Sequence, residues 1–234
     1  IATGSTPSAS SFGTLLPDSV MDSERALSAG HFDRSVVIIG GGVIGMEFAF
    51  LYRSMDMQVY VVEYLDHILG NVDADVSELI AAQAAERGIR IFTGSKVTGI
   101  LRSDSGETLV TFEQDGQIRT LVAQSVLTAT GRRPVTDGLN LEAAGVARTD
   151  RGAVAINEQM QTNVPHIYAI GDVTGKVALA HGASHQGIVA VDAIRGFPHE
   201  MDYDAIPSVI FTAPEAACVG KSEQACKKSG IPVR

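Results

Sequence analysis

The chain has 234 residues, of which 45% are hydrophobic and 19% charged, and its formal net charge is -9. Eighteen Lys and Arg stand against 27 Asp and Glu with no basic run, so nothing predicts binding to nucleic acid or to an anionic membrane surface. The most apolar window, residues 36–52, contains four glycines and Glu47, which favours a strand followed by a helix over a membrane span.

The cysteines and histidines give no sign of a metal site or a disulfide framework. Cys218 and Cys226 are too few for either, and no basic and apolar leader opens the chain, which favours a reducing cytoplasm or an organelle matrix. His181 and His185 have the i, i+4 spacing of two ligands on a helix, but no third ligand accompanies them. We therefore predict no metal and a cytoplasmic protein.

The first 30 residues predict little regular structure. Residues 1–5 are typical of a strand end that enters a Gly turn, and residues 6–30 form a linker with one short helix at 22–27, capped by Asp22 or Ser23. The sequence opens on Ile1, and a strand predicted at 207–212 has no partner before Arg234. We interpret the chain as a fragment of a longer protein.

The middle of the chain predicts a βαβ unit, with a strand at 36–39, a helix at 43–54 and a strand at 58–63. A helix at 73–87, ended by Gly88, and a strand at 89–93 are predicted to follow. Next comes an antiparallel meander at 96–101, 109–113 and 117–122, with Asp115-Gly116 as its hairpin turn. The last predicted elements here are a returning strand at 125–130, a strand at 163–169 and a helix at 180–195.

A G-x-G-x-x-G motif spans residues 40–45, with Val43 and Ile44 between its last glycines. It joins the first strand of the βαβ unit to the helix, which is the context that dinucleotide binding requires. Gly40 permits the tight turn, Gly42 leaves room for a pyrophosphate, and Gly45 allows close packing of the helix. The alternative is a glycine-rich turn in an ordinary α/β domain.

Two carboxylates lie near this motif. Glu63 ends the next strand, where it can accept hydrogen bonds from ribose hydroxyls, and no Lys or Arg follows at 64–67 to attract a 2′-phosphate. This pattern predicts NAD in preference to NADP. Glu47 has two interpretations: a carboxylate placed favourably near a helix N-terminus, or a contact to the nicotinamide carboxamide.

Small residues mark two further strand ends, at 2–5 and 168–172, where the backbone can approach a cofactor. Asp172 closes the second of them. It can bind a sugar-alcohol chain, or it can simply cap the turn after Gly171.

Short motifs occur in a fixed order along nearly the whole chain, at 1–5 with Pro7, 40–47, 61–63, 129–134, 162–173 with 179–181, and 206–209 with 214–215 and 219–220. In this order they resemble the flavin-dependent pyridine nucleotide disulfide oxidoreductases. The match to the NAD fingerprint of that family, G-G-G-V-I-G-x-E, covers residues 40–47.

The resemblance implies an α/β fold in which a Rossmann-like NAD(P)-binding domain, a three-layer ββα sandwich with an antiparallel meander, is inserted in a discontinuous FAD-binding domain. An α+β interface domain then begins. The implied boundaries are 1–19 for the tail of the first FAD-domain segment and linker, 20–131 for the NAD-binding domain, 132–202 for the second FAD-domain segment, and 203–234 for the start of the dimer-interface domain.

The resemblance also implies two sets of cofactor-binding residues. The NAD set is Gly40, Gly42, Val43, Ile44, Gly45, Glu47, Glu63 and Gly131, and the FAD set is Thr3, Gly4, Gly171, Asp172, Leu179 and Ala180. In the FAD set, Asp172 binds the ribityl chain and Ala180 donates near the pyrimidine edge of the flavin. The family's redox cysteine pair and His-Glu base lie outside residues 1–234, so no catalytic residue is assigned.

By resemblance, the parent enzyme is a homodimer that oxidises a dithiol, such as lipoamide on a carrier protein, and passes two electrons through FAD to NAD. We expect residues 1–234 alone to be inactive. Three alternatives remain open: a soluble transhydrogenase without the cysteine pair, a mercuric reductase with another acceptor, and a module that only binds NAD.

Overall fold

The computed structural model describes residues 1–8 and 19–233, so residues 9–18 of the predicted linker lie outside the described residues. The strands are β1 (Ser5–Pro7), β2 (Val20–Met21), β3 (Ser35–Ile39), β4 (Gln58–Val62), β5 (Arg90–Phe92), β6 (Ser95–Arg102), β7 (Thr108–Gln114), β8 (Gln117–Ala123), β9 (Ser125–Thr128), β10 (Arg132–Pro134), β11 (Ser208–Ile210) and β12 (Ala216–Cys218). The helices are α1 (Ser23–Leu27), α2 (Val43–Ser54), α3 (Ala74–Glu86), α4 (Ala180–Ile194) and α5 (Glu223–Lys228), with 3-10 turns at Gly171–Thr174 and Tyr203–Ala205.

The chain divides into two compact units that each combine distant segments. Unit 1 contains Ile1–Thr6 and Arg132–Ser208, and unit 2 contains Pro7–Gly131 and Val209–Arg234. The four domain segments given above, with their boundaries and functions, stay predictions.

Unit 2 is built on a parallel sheet with the strand order β2-β9-β3-β4-β5. The central strand β3 pairs in parallel with β4 and β9, so that Ile38 lies opposite Val61 and Leu127. Runs of β-branched residues form these strands because both faces of a parallel sheet are covered. The expected α/β class with a parallel sheet is confirmed.

Both faces of this sheet carry a hydrophobic core. Val36, Ile38 and Val61 pack with α2 and α3, whereas the alternate residues Val37 and Ile39 pack with the meander β6-β7-β8. The alternation follows from the period of two along a strand. The result is three layers: helices, parallel sheet and antiparallel meander.

Unit 1 has less regular structure. Strand β1 pairs with β10, and small clusters of apolar residues pack around Val154 and Val173 and around Met160 and Val189. Helix α4 is the longest element of this unit.

Most elements predicted from periodicity are confirmed. Helix α2 has the predicted bounds, and Asp22 caps α1 by accepting a hydrogen bond from the backbone N–H of Arg25. Two of the exceptions lie in unit 1. Residues 1–4 form no strand, and 163–169 contribute only an isolated bridge between Gln161 and Tyr168.

The predicted strand at 163–169 is wrong because polar side chains there bond to the backbone in place of a neighbouring strand. The Asn163 side chain accepts from Ala147 N and donates to Gly145 O, and the Thr162 hydroxyl donates to Ile167 O. Such local bonds compete with strand pairing.

The predicted strand at 207–212 was thought to lack a partner, and this is also wrong. It is shorter than predicted, and β11 pairs with β12. Ile210 of β11 is 1% exposed and packs in the helix-side core of unit 2. Phe211, next in the chain, is 66% exposed. In the described part of the chain, no helix is long and apolar enough to cross a membrane.

Candidate functional site

The glycine turn between β3 and α2 is shaped by close backbone contacts. Gly40 has a φ of +110°, and a Cβ there would overlap the carbonyl oxygen of Ala129. A Cβ on Gly45 would overlap the carbonyl oxygen of Gly40. Neither position can hold a larger residue without movement of the backbone.

Gly42 differs from these two glycines. A Cβ at Gly42 would have no heavy atom within 4 Å, and its φ of -73° is accessible to any residue. Its lack of a side chain is therefore not required by packing within the described residues. The open space in front of Gly42 is the feature that a closely approaching ligand would need.

Helix α2 begins directly after Gly42, which makes no side-chain capping bond. The first N–H groups of a helix lack intrahelical partners and carry a partial positive charge. Val43 and Ile44, which supply these groups, are half-buried. The turn and the helix start together can hold an anion such as a pyrophosphate.

Glu63 lies beside this turn, immediately after β4. It is 9% exposed; its Oε2 accepts a hydrogen bond from Gly41 N at 2.5 Å and its Oε1 accepts one from Leu65 N at 2.7 Å. These two bonds were not foreseen, because the sequence suggested only a ribose contact. Carboxylate oxygens can accept further bonds, so the position still suits a ribose.

Glu47 makes a contact that neither interpretation of the sequence included. Its Oε1 accepts from the backbone N–H of Phe211 at 3.0 Å, which joins α2 to the end of β11. The two residues are 164 positions apart, so no local pattern could have indicated the bond. Gly131, the last predicted NAD residue, has a φ of +114° and accepts from Ser8 N.

In unit 1, Asp172 lies in the 3-10 turn and lines a cavity of about 260 Å³. The other described residues of the lining are Ser5, Arg132, Pro134, Gly175, Lys176, Val177 and Ala178. Two cations and a carboxylate thus face one cavity. The sequence had singled out Asp172 but had missed Ser5, Arg132 and Lys176.

A chain of hydrogen bonds reaches Asp172 from β1 and β10. The Ser5 hydroxyl donates to Asp172 Oδ2 at 2.5 Å, and Arg132 donates from Nε to Ser5 Oγ at 2.7 Å. Arg132 also donates from Nη2 to the Ser5 carbonyl at 2.8 Å. The side chain of Asp172 is therefore held by residues outside its own turn.

The backbone of the same turn is held by Gln186 of α4. Gln186 is completely buried; its Oε1 accepts from Gly171 N at 2.5 Å, and its Nε2 donates to the Tyr203 hydroxyl at 3.0 Å. Burial raises the pKa of the Tyr203 phenol above its ordinary value, and the bond from Gln186 opposes that rise. Gln186 thereby satisfies a buried N–H that no strand or helix would pair.

The other predicted FAD residues lie around this turn without lining the cavity described above. Thr3 donates to Val135 O at 2.6 Å, and Gly4 O accepts from Val135 N. Leu179 is the N-cap of α4 and Ala180 its first residue, and no side-chain bond caps that end. Backbone N–H groups are therefore present where the sequence analysis placed a cofactor edge.

The two histidines of the i, i+4 pair have different neighbours. His181 Nε2 lies 2.7 Å from Pro207 O, whereas the His185 ring meets His199 edge-on. Within residues 1–8 and 19–233, no three His, Cys, Asp or Glu side chains gather as a metal site would require. Cys218 and Cys226 are free thiols.

Comparison with known proteins gives curated relatives along the whole chain. The chain is 41% identical over 234 residues to a dihydrolipoyl dehydrogenase of Chlamydia pneumoniae, covering 100% of this chain and 50% of that protein. It is 43% identical over 224 residues to a dihydrolipoyl dehydrogenase of Mycobacterium leprae, covering 94% and 48%. The chain thus spans about half the length of the curated relatives it matches.

Two solved structures are similar in fold to this chain and are also about twice its length. LpdA from Mycobacterium tuberculosis matches with a TM-score of 0.90 at 29% identity, over 100% of this chain and 50% of that chain. RclA from Escherichia coli, an HOCl-induced flavoprotein disulfide reductase, matches with a TM-score of 0.87 at 26% identity, over 99% and 53%. The family model described as pyridine nucleotide-disulphide oxidoreductase matches residues 1–187, so the chain belongs to that family.

Proposed function

We propose that this chain is the NAD-binding part, and a portion of the FAD site, of an NAD-linked flavoprotein of the dihydrolipoamide dehydrogenase type. The observation that carries the proposal is the contrast among three glycines of one turn. Gly40 and Gly45 are closed in by backbone, whereas Gly42 faces open space at the start of α2. A turn that served packing alone would not need glycine at position 42.

The NAD half of the proposal uses residues of unit 2. The backbone at Gly42, Val43 and Ile44 holds the pyrophosphate, and Glu63 accepts from the ribose hydroxyls. Gly40 and Gly45 keep the turn in the required shape. Glu47 has one oxygen bonded to Phe211 N, and its other oxygen accepts from the nicotinamide carboxamide. Gly131 lets the chain pass beside this end of the dinucleotide.

The FAD half uses residues of unit 1. A polar cavity lined by Asp172, Arg132 and Lys176 fits a chain bearing several hydroxyls. Asp172 holds the ribityl chain, while Thr3, Gly4 and Gly171 let the backbone come close to the cofactor. The N–H groups at Leu179 and Ala180 donate to the edge of the flavin ring. In this proposal the FAD-binding domain is discontinuous, with segments 1–19 and 132–202 on either side of the NAD-binding domain 20–131, and residues 203–234 begin the interface domain.

When bound, FAD supplies the two-electron chemistry between a dithiol and NAD. The contribution of this chain is to orient the two cofactors and to bind their charged and polar groups. The dithiol is proposed to be dihydrolipoamide on a carrier protein, which is oxidised to lipoamide, and the whole protein a homodimer. The names of the relatives support a dihydrolipoyl substrate, and the order of the sequence motifs agrees with it.

The cofactor preference tests the NAD half. Because Glu63 lies at the ribose position and no cation follows at 64–67, NADH should bind at least about tenfold more tightly than NADPH in calorimetric titrations. Equal affinities would contradict the assignment of Glu63.

A variant can sharpen this test without disturbing Glu63. Glu63 is buried and bonded to two backbone N–H groups, so replacing it would also loosen the turn. Leu65→Arg is cleaner, because the Leu65 side chain is exposed and only its backbone bonds to Glu63. The added cation should narrow the preference for NADH severalfold. Ile118→Arg, an exposed position on β8, adds the same charge elsewhere and should leave the preference unchanged.

The overall activity is tested with the protein expressed at the full length of its gene. It should carry bound flavin and reduce NAD when supplied with dihydrolipoamide. Flavin without NAD reduction would favour a relative with another electron acceptor. NADH binding without flavin would leave only the NAD-binding module.

A further inference from the structure

The carboxylate of Asp172 is held by a residue from the first segment of unit 1. Its Oδ2 accepts from the hydroxyl of Ser5, which lies 167 positions earlier in the chain, at 2.5 Å. This distance lies in the range of a hydroxyl that donates to an ionised carboxylate. Among the described residues, no side chain donates to Oδ1, and Asp172 lines the cavity, so this oxygen is available to accept a hydrogen bond from a ligand.

The direction of the Ser5 hydroxyl is set by Arg132. A serine hydroxyl has one proton to donate and two lone pairs to accept with. Arg132 Nε donates to Ser5 Oγ, and Nη2 donates to the carbonyl of the same residue, so two bonds fix one guanidinium on Ser5. Because Arg132 has only donors to offer, the Ser5 proton must go elsewhere, and Asp172 receives it.

We propose that Arg132 and Ser5 are positioning residues that hold Asp172 Oδ2 so that Oδ1 accepts from a hydroxyl of the FAD ribityl chain. This inference rests on the proposed function of Asp172. Ser5 and Arg132 act through Asp172, and their removal leaves a carboxylate free to rotate or to turn away from the cavity. The effect of Ser5 on FAD binding should therefore disappear when Asp172 is absent.

A double-mutant cycle tests this dependence. The full-length gene product is stripped of flavin and titrated with FAD while the quenching of flavin fluorescence is followed. Ser5→Ala should weaken FAD binding about tenfold, the cost expected for losing one bond to a charged group. Asp172→Ala should weaken it at least as much. Ser5→Ala added to Asp172→Ala should cause less than a twofold further loss.

Titration with ADP separates positioning from a general structural defect. ADP lacks the ribityl chain, so Ser5→Ala should leave its affinity unchanged, whereas damage to the fold would weaken ADP and FAD alike. Ser184→Ala is the matched control: it makes the same chemical change at an exposed position of α4, where the hydroxyl donates to Ala180 O. FAD binding by this control should stay within twofold of the unmodified protein.

Two conservative variants complete the test. Ser5→Thr keeps the hydroxyl and should restore most of the affinity. Arg132→Lys keeps the charge but cannot make both bonds to Ser5, so it should weaken FAD binding as Ser5→Ala does, and the two changes should not add.

Additive losses from Ser5→Ala and Asp172→Ala would overturn the positioning role, because Ser5 would then contribute independently of Asp172. FAD binding that is unaffected by Asp172→Ala would instead overturn the proposed function of Asp172. A protein that takes up no FAD would refute the FAD half of the proposed function and the positioning role with it.

Discussion

The glycine turn at 40–45 and the turn at 171–174 prepare their sites by different means. In the first, the backbone of Ala129 crowds Gly40, the backbone of Gly40 crowds Gly45, and Gly42 is left open, so the shape of the site comes from close approach of backbone atoms. In the second, Ser5, Arg132 and Gln186 hold one turn through side-chain hydrogen bonds over long sequence distances. A site of the first kind should fail by steric exclusion, and one of the second kind by loss of polar bonds.

The largest effect is expected at Gly42. Gly42→Val should weaken NADH binding by at least about 100-fold, because the added side chain fills the space proposed for the pyrophosphate. The free energy of unfolding should change by less than about 1 kcal/mol, since nothing in the described structure lies within 4 Å of the new Cβ. Calorimetric titration and urea unfolding measure the two quantities.

Gly30→Val is the control for this prediction. Gly30 is exposed and also has open space around its Cβ position, but it lies in a bend before β3, whereas the glycine turn follows that strand. NADH should bind to this variant as it does to the unmodified protein. Undiminished binding by Gly42→Val would refute the steric role.

Gly45→Ala should lower the stability of the fold, whereas Gly42→Val should mainly weaken NADH binding. Its Cβ would overlap the Gly40 carbonyl, so the variant should lose about 3 kcal/mol of unfolding free energy. Gly42→Ala, the same chemical change three residues earlier, should be close to neutral in urea unfolding. Similar losses from both variants would show that the contrast among the glycines has no energetic basis.

Gln186→Leu tests the turn at 171–174. It leaves the Gly171 N–H and the Tyr203 hydroxyl without their buried partner, which should cost about 2 kcal/mol. Hydrogen exchange at Gly171 should accelerate. Gln117→Leu, at an exposed position of β8, is the matched control and should leave both measurements unchanged.

The smallest effect is expected on the pH dependence of the unfolding free energy. The pKa of Tyr203 is raised in the folded protein by burial, so folding favours the protonated phenol. This preference has no effect below the ordinary tyrosine pKa of about 10, and the folded protein loses stability as the pH rises through and above it. Tyr203→Phe should flatten the fall in unfolding free energy in that range. An unchanged slope would contradict a raised pKa of the half-buried Tyr203 phenol.

The sequence was most informative where the determining residues are close together. The alternation of β-branched strands with an amphipathic helix gave the bounds of α2 and the parallel sheet, and the spacing of Gly40, Gly42 and Gly45 located a candidate turn. Each of these patterns spans fewer than about 30 residues, so periodicity and turn chemistry determine it.

Features that depend on distant partners were missed for the same reason. Nothing near Asp172 indicates a bond to Ser5, and nothing near Glu47 indicates a bond to Phe211. The strand predicted at 163–169 failed because Thr162 and Asn163 bond to the backbone, which apolar periodicity does not register. Spacing can nominate a residue for a site, but the partners that orient it come from tertiary structure.

The placement of Ile210 has a consequence for how the chain acquires its structure during synthesis. Ile210 fills the helix-side core of unit 2, whose last sheet strand β9 ends at Thr128, so about 80 residues must be made before that core is complete. The folding of unit 1 is delayed in the same way, because β1 pairs with β10, which lies more than 120 residues later in the sequence. Such high contact order slows folding and leaves apolar surface open on the nascent chain. A ribosome that pauses before residue 210 would therefore hold a parallel sheet whose helix-side core is incomplete and open to chaperones.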